Sequence, residues 1–212
     1  MNKINILGIG PGSKEYLLKI TEKEIVKSDV LIGGKRALTM FSGQEKKKIK
    51  ITADLQYIKN YILNNYKKKK ISVLVSGDPG FFSILSYLKK YISSDLLNVI
   101  PGISSLQLAN ARLKMSWNDM PIISLHGKKA KDNFINTVKE NSKVGIFTDN
   151  KFSPDEIAAL LLKKGLERKK AVVFEKLSYP DENIIKGKLE KIKDKNFAKL
   201  TVMVILDEKL EI

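Results

Sequence analysis

The stretch Val73-Leu74-Val75-Ser76-Gly77-Asp78-Pro79-Gly80-Phe81-Phe82-Ser83 is where the fold is decided. An apolar, β-branched run through Ile71, Val73 and Val75 reads as a buried strand. It stops at Gly77-Asp78-Pro79-Gly80, and the apolar residues that follow (Phe81, Phe82, Ile84, Leu85, Leu88) predict a helix directly after the turn. Open α/β sheets hold ligands at the carboxyl ends of their strands, so a strand that ends in such a turn and feeds a helix predicts a ligand site. Gly77 and Gly80 let backbone approach a bound molecule, and Asp78 is a lone carboxylate at its lip. The expectation is that this turn floors a cofactor site.

Upstream, Lys3–Leu7 reads as a short strand followed by Gly8-Ile9-Gly10-Pro11-Gly12-Ser13. A helix follows around residues 20–28, with Thr21 and Glu24 spaced as a capping box. A second strand at Val30–Ile32 closes at Gly33-Gly34, before a helix from about Lys35 to Phe41, an extended piece at Ile49–Ile51 and a helix over Asp54–Tyr66. Downstream, Leu97–Ile100 is a strand that ends in Pro101-Gly102, and Ser104 or Ser105 caps the next helix. Strands alternating with helices predict a mainly parallel, doubly wound sheet.

The periodicity lapses at Lys114–Asp119, which sets the expected boundary between a domain at 1–113 and another at 114–212. The second half restarts with a strand at Met120–Leu125 and a polar helix at about Ala130–Glu140. A strand at Lys143–Phe147 and a helix opened by Ser153-Pro154-Asp155-Glu156 follow. Ala171–Phe174, Glu182–Gly187 and Leu200–Leu206 complete it; the last is the continuous apolar run of a central strand, and the turn at Tyr179–Glu182 implies an antiparallel pair.

Composition narrows the classes. An apolar share of 43% beside 29% charged residues in 212 residues is that of a soluble globular chain. No cysteine is present, which excludes disulfides and thiolate metal sites, and one histidine excludes a His-rich cluster, so no metal site is expected. No apolar run suits a signal peptide or a membrane span, and the cytoplasm is the expected compartment. The net charge of +16 fits either a polyanionic partner or a lysine-rich solvated surface. Just three of the 39 basic residues are arginine (Arg36, Arg112, Arg168), which favours the second reading and argues against nucleic acid as a partner.

The glycine loop after the first strand departs from a dinucleotide fingerprint. Ser13 stands where the third glycine belongs, and Pro11 removes an N–H that a pyrophosphate would use. No Gly-Lys-Ser/Thr follows, which excludes a P-loop. His126, at a strand end before Gly127, suits a general base as well as a purely structural histidine. Trp117 reads as packing, and Asp149-Asn150 as the start of a turn. No Ser-His-Asp, zinc or paired-carboxylate set can be assembled, so the residues alone give a two-domain α/β ligand binder without a reaction.

The turns GIGPGS (8–13), SGDPGFF (76–82) and PGISS (101–105), in this order and near these positions, resemble the tetrapyrrole (corrin/porphyrin) methylase family. That resemblance implies S-adenosylmethionine-dependent methyltransferases of class III fold. They have two α/β domains with a cleft between them, work as homodimers, and release S-adenosylhomocysteine. Within the family, VLIGGKR (30–36), the run from 101 to 119, SLHGK (124–128), IFTDNKFSPDEIAALLLKKGL (146–166) and FEKLSYPDENIIKG (174–187) look most like the branch that methylates carbon 5 of cobalt-precorrin-7 in cobalamin biosynthesis. SLHGK has Lys128 where arginine is expected, which keeps the charge and loses the bidentate fork. The resemblance places the cofactor against Gly77, Asp78, Phe81, Ser104 and Ser105, with Thr148, Leu177 and Leu200 from the other domain. It moves Gly10, Pro11 and Gly12 to the tetrapyrrole, a polycarboxylate expected to carry cobalt. It leaves methylation at carbon 15 with decarboxylation to a separate protein. Asp78 and His126 are the candidates for moving a proton. The alternatives are a sibling acting on another precorrin carbon or on ribosomal RNA, and a basic nucleic-acid-binding module without catalysis.

Overall fold

The computed structural model describes residues 3–125, 131–149 and 151–210. The chain divides into two compact units, Met1–Ser104 and Ser105–Ile212. The helix after Pro101-Gly102 therefore groups with the second unit, ahead of the Lys114 boundary expected from periodicity.

The first unit holds a five-stranded sheet in the order β3-β2-β4-β1-β5, parallel at every pairing. The strands are β1 (Ile4–Gly8), β2 (Val30–Gly33), β3 (Lys47–Lys50), β4 (Ile71–Val75) and β5 (Leu97–Ile100). β1, β2 and β4 are buried along their whole length, which is why they read as continuous apolar runs. Alternate residues serve opposite faces. Ile4, Ile6, Val30, Ile32, Ile71 and Val73 pack with Ile58 and Ile62 of α3 (Leu55–Asn65), and with Leu88. Leu7, Leu31 and Leu74 pack with Ile25 of α1 (Lys19–Lys27) and with Ala37 of α2 (Lys35–Met40). Helices on both faces make this sheet doubly wound, as expected. The edge strand β3 is written mostly in lysine, which blunts an edge that would otherwise pair with another chain.

A chain of polar groups runs through the α1 face. The Asn98 amide donates to Asn5 Oδ1 at 2.8 Å, the Asn5 amide donates to Ser72 Oγ at 3.2 Å, and Ser28 and Ser72 share a hydroxyl bond of 2.6 Å. Ser28 Oγ then donates to the Glu24 carbonyl at 2.7 Å, so the chain ends on backbone. Thr21 makes no capping box: α1 begins at Lys19 behind an extended Leu18, and the buried Thr21 hydroxyl instead donates to the Gly8 carbonyl. The helix expected from Phe81 is also shorter, with α4 confined to Leu85–Leu88. Phe82 has φ 45°, and Ser83 Oγ accepts the Leu85 N–H at 3.1 Å, so the segment before α4 is a bend.

The second unit carries a mixed five-stranded sheet, β6-β7-β10-β8-β9. Its strands are β6 (Ile122–Ser124), β7 (Lys143–Phe147), β8 (Lys169–Glu175), β9 (Asn183–Lys188) and β10 (Thr201–Asp207). β6 and β7 are parallel, and β10 runs antiparallel to both neighbours at the sheet centre, where its apolar run placed it. β8 and β9 form the antiparallel pair implied by the Tyr179–Glu182 turn. The core gathers Phe134 and Val138 of α6 (Lys131–Glu140), Ile157 and Leu161 of α7 (Pro154–Lys163), and Leu189 and Ile192 of the short α8 (Leu189–Lys193). α5 (Ser105–Leu113) packs Leu106 close against Gly145 of β7. Among the described residues no helix is long and apolar enough to cross a membrane.

Candidate functional site

At the carboxyl edge of the first sheet three turns converge because three glycines let their backbones touch. A Cβ on Gly8 would lie 2.5 Å from the Gly102 nitrogen and 2.8 Å from the Gly77 carbonyl oxygen, and a Cβ on Gly102 would run into that same oxygen. The Gly77 N–H donates to the Gly10 carbonyl at 2.8 Å, with both residues at positive φ (69° and 77°) that only glycine adopts without strain. Gly10, Pro11 and Gly12 are buried, and a Cβ on Gly10 would meet the Tyr16 carbonyl at 2.9 Å. Ser13 leaves the loop by accepting the Glu15 N–H and starting a single turn at Lys14–Tyr16.

Asp78 fastens this arrangement. Its Oδ1 accepts the Gly80 N–H at 2.6 Å, closing its own turn, and its Oδ2 accepts the Gly102 N–H at 3.0 Å, from the turn after β5. Both carboxylate oxygens are thus engaged by backbone donors, the arrangement of a brace. Phe81 and Phe82 beyond it stay 37% and 63% exposed, which leaves apolar surface at the mouth of the turn. Ser104, two residues past Gly102, is buried, and Ser105 opens α5 in the second unit.

Thr148, Leu177 and Leu200 come together at one end of the second sheet. Thr148 Oγ1 follows β7 and donates to the Thr201 carbonyl at 2.8 Å, with the two threonine hydroxyls 2.6 Å apart. The Lys176 N–H donates to the Leu200 carbonyl at 2.8 Å, joining the end of β8 to the start of β10. Leu177, 5% exposed, sits between Lys176 (φ 48°) and Ser178 (φ 71°), two non-glycine residues in the left-handed region. Such strain persists only where the surroundings hold it, and it concentrates at binding loops. Two contacts hold it here. Glu182 Oε2 accepts the Ser178 N–H at 2.7 Å, and Lys176 pairs with Asp181 at 2.5 Å. Glu182 is itself gripped by both ends of the Arg112 guanidinium, with Nε 2.7 Å from Oε1. The Arg112 bond, then the Ser178 N–H, hold the Glu182 carboxyl below its ordinary range.

The remaining sequence candidates separate. Asp149 begins a turn, accepting the Lys151 and Phe152 N–H groups at 2.7 and 2.8 Å. Trp117 is half-buried in the connector. His126 and Asn150 lie outside the described residues. A cavity of about 550 Å³ between α6 and α7, lined among others by Phe134, Phe152 and Leu160, shares no residue with the two strand-end clusters.

Three features escaped the sequence reading. Arg36 Nη2 donates to Ser76 Oγ at 2.6 Å across the ends of β2 and β4; the scarcity of arginine was the available signal. The strained pair Lys176 and Ser178 carried no signal, since neither residue type favours positive φ. Thr201 was hidden as the first residue of an apolar strand.

Among the described residues no group of three or more His, Cys, Asp or Glu side chains is placed to hold a metal ion. The tetrapyrrole (corrin/porphyrin) methylase profile matches residues 3–193. A probable cobalt-precorrin-7 C(5)-methyltransferase of Methanocaldococcus jannaschii is 40% identical over 95% of this chain and 96% of its own. The cobalt-precorrin-7 C(5)-methyltransferase of Salmonella typhimurium is 30% identical over 85% and 88%. A solved uroporphyrin-III C-methyltransferase of Thermus thermophilus, complexed with S-adenosylhomocysteine, superposes with a TM-score of 0.78 at 15% identity, covering 96% of this chain and 92% of that one. By profile and by end-to-end identity, the chain belongs to the tetrapyrrole methylases.

Proposed function

We propose that this protein transfers the methyl group of S-adenosylmethionine to carbon 5 of cobalt-precorrin-7 in cobalamin biosynthesis. The observation that carries the reading is the likeness to a carbon-5 enzyme over nearly the whole of both chains. The donor brings an electrophilic methyl on sulfur, and the ring carbon brings the electron pair. The carbon–carbon bond forms as the carbon–sulfur bond breaks, and S-adenosylhomocysteine leaves. The protein's work is then to align carbon, methyl and sulfur and to exclude water.

In this proposal the donor-binding residues are those the family resemblance assigns: the Gly77–Gly80 turn, Phe81, Ser104 and Ser105, and Thr148, Leu177 and Leu200. Gly10, Pro11 and Gly12 bind the tetrapyrrole, and the Gly10 carbonyl also anchors the Gly77 N–H. Asp78 acts as a positioning residue, because both its oxygens already hold backbone amides. The proton given up at the ring falls to His126, the chain's one histidine. Methylation and decarboxylation at carbon 15 belong to a different protein. The working form is a cytoplasmic homodimer, which sedimentation equilibrium reads directly.

The test is incubation with labelled S-adenosylmethionine and cobalt-precorrin-7, followed by mass spectrometry of the pigment. A gain of one methyl without loss of carbon dioxide is expected. No gain, with turnover of another precorrin instead, would move the reading to a sibling reaction.

A further inference from the structure

We propose that Arg36 binds a peripheral carboxylate of the tetrapyrrole, with Ser76 holding its guanidinium in position; this rests on the methyl-transfer reading above. β2 and β4 are hydrogen-bonded neighbours with Gly33 paired to Leu74, so Arg36, just past the end of β2, and Ser76, just past the end of β4, stand side by side. Ser76 immediately precedes Gly77, which places the Arg36–Ser76 bond of 2.6 Å beside the turn that Asp78 braces. The approach is open. Both residues are exposed, and a Cβ added to the intervening Gly34 would meet nothing within 4 Å.

The partner of Arg36 decides what the residue is for. Arg112 is neutralised by a two-point contact with Glu182. Arg36 is held by a neutral hydroxyl and, among the described residues, makes no ion pair. One of its five N–H donors is occupied, so the plane is oriented while its charge and most of its fork remain available. A guanidinium presented in this way matches a carboxylate with two parallel hydrogen bonds, which an ammonium cannot do. The residue choice agrees. The chain uses lysine for nearly all its positive charge, and Arg36 is the one arginine of the first unit. A bond between two exposed side chains adds little to stability, so fastening α2 does not account for it.

The test compares the wild type with Arg36→Ala, Arg36→Lys, Ser76→Ala and, as a control for lost charge elsewhere, Arg168→Ala. Steady-state kinetics at varied tetrapyrrole and at varied S-adenosylmethionine give separate KM values, and calorimetry gives the S-adenosylhomocysteine affinity. Arg36→Ala is expected to raise the tetrapyrrole KM about tenfold, the loss of one charge-assisted contact. The S-adenosylhomocysteine affinity is expected to stay within twofold. Arg36→Lys and Ser76→Ala should fall between, and Arg168→Ala should match the wild type. A tetrapyrrole KM within twofold of wild type in Arg36→Ala overturns the proposal, as does an equal loss of cofactor affinity. A second arm needs no turnover: absorbance titration with cobyrinic acid, whose side chains end in carboxylates, and with its amidated counterpart. Selective weakening of the carboxylate form in Arg36→Ala upholds the site even if the methyl-transfer reading fails. Equal weakening of both forms refutes it.

Discussion

Replacing Asp78 separates a brace from a bystander. Asp78→Ala removes two hydrogen bonds at once, to Gly80 N–H at 2.6 Å and to Gly102 N–H at 3.0 Å. Each is a bond to a charged acceptor, worth about 1.5–3 kcal/mol when shielded. Asp78 is half-buried, so solvent screening brings each to about 1 kcal/mol and the pair to about 2 kcal/mol. The loss divides between folding and the placement of the turn. Carried wholly by binding it would weaken S-adenosylhomocysteine about 30-fold, and carried wholly by folding it would lower Tm by about 4–8 °C. Asp78→Asn keeps one acceptor oxygen but sets an amide against the other N–H, so it should show about half the effect or more. Calorimetry and thermal unfolding on the same preparations measure both shares. If Asp78→Ala changes affinity less than twofold and Tm by less than a degree, the two bonds do not hold the turns together and the bracing role is wrong.

Other expectations follow from the same geometry. Asn5→Leu removes the middle of the buried polar chain and leaves Ser72 and the Asn98 amide short of a partner, so it should cost about 2 kcal/mol, read by urea unfolding. Glu182 binds its proton less readily folded than unfolded, so its pairing with Arg112 stabilises fully above the ordinary carboxyl range near 4.5 and loses that contribution as pH falls through and below it. Arg112→Ala should therefore lower stability at pH 7 by about 1 kcal/mol and flatten the acid limb of the stability–pH curve as pH falls through and below the ordinary carboxyl range. His126→Asn should cut kcat about 100-fold, leave the S-adenosylhomocysteine affinity unchanged and remove the acidic limb of the pH–rate profile.

Where side chains face a dry core, the sequence showed its structure plainly. β4 and β1 were legible because both faces are buried and nothing interrupts the apolar run. The central place of β10 followed for the same reason. Local hydrogen bonds set the limits. The Thr21–Glu24 spacing suggested a cap, but the Thr21 hydroxyl is occupied by the carbonyl of Gly8, in another element. Helical spacing ran through Phe81–Ile84, yet Phe82 turns to positive φ and the helix waits for Leu85. At the site, position was readable and role was not. Asp78 lay at the lip of a turn, but the donor that fixes its role comes from Gly102, a different strand end. Arg36 gained meaning when the fold set it against Ser76, forty residues on.

Gly8, Gly77 and Gly102 meet backbone to backbone, so none of the three can change alone without moving the other two turns. Their substitutions should be strongly non-additive. Gly8→Ala and Gly102→Ala each push apart the same pair of strand ends, and once one has done so the second meets a gap already opened. The double variant should therefore be less destabilised than the sum of the singles. In evolutionary terms the three positions form one locus: a descendant of this chain that lost one of these glycines would be expected to carry compensating changes in all three turns.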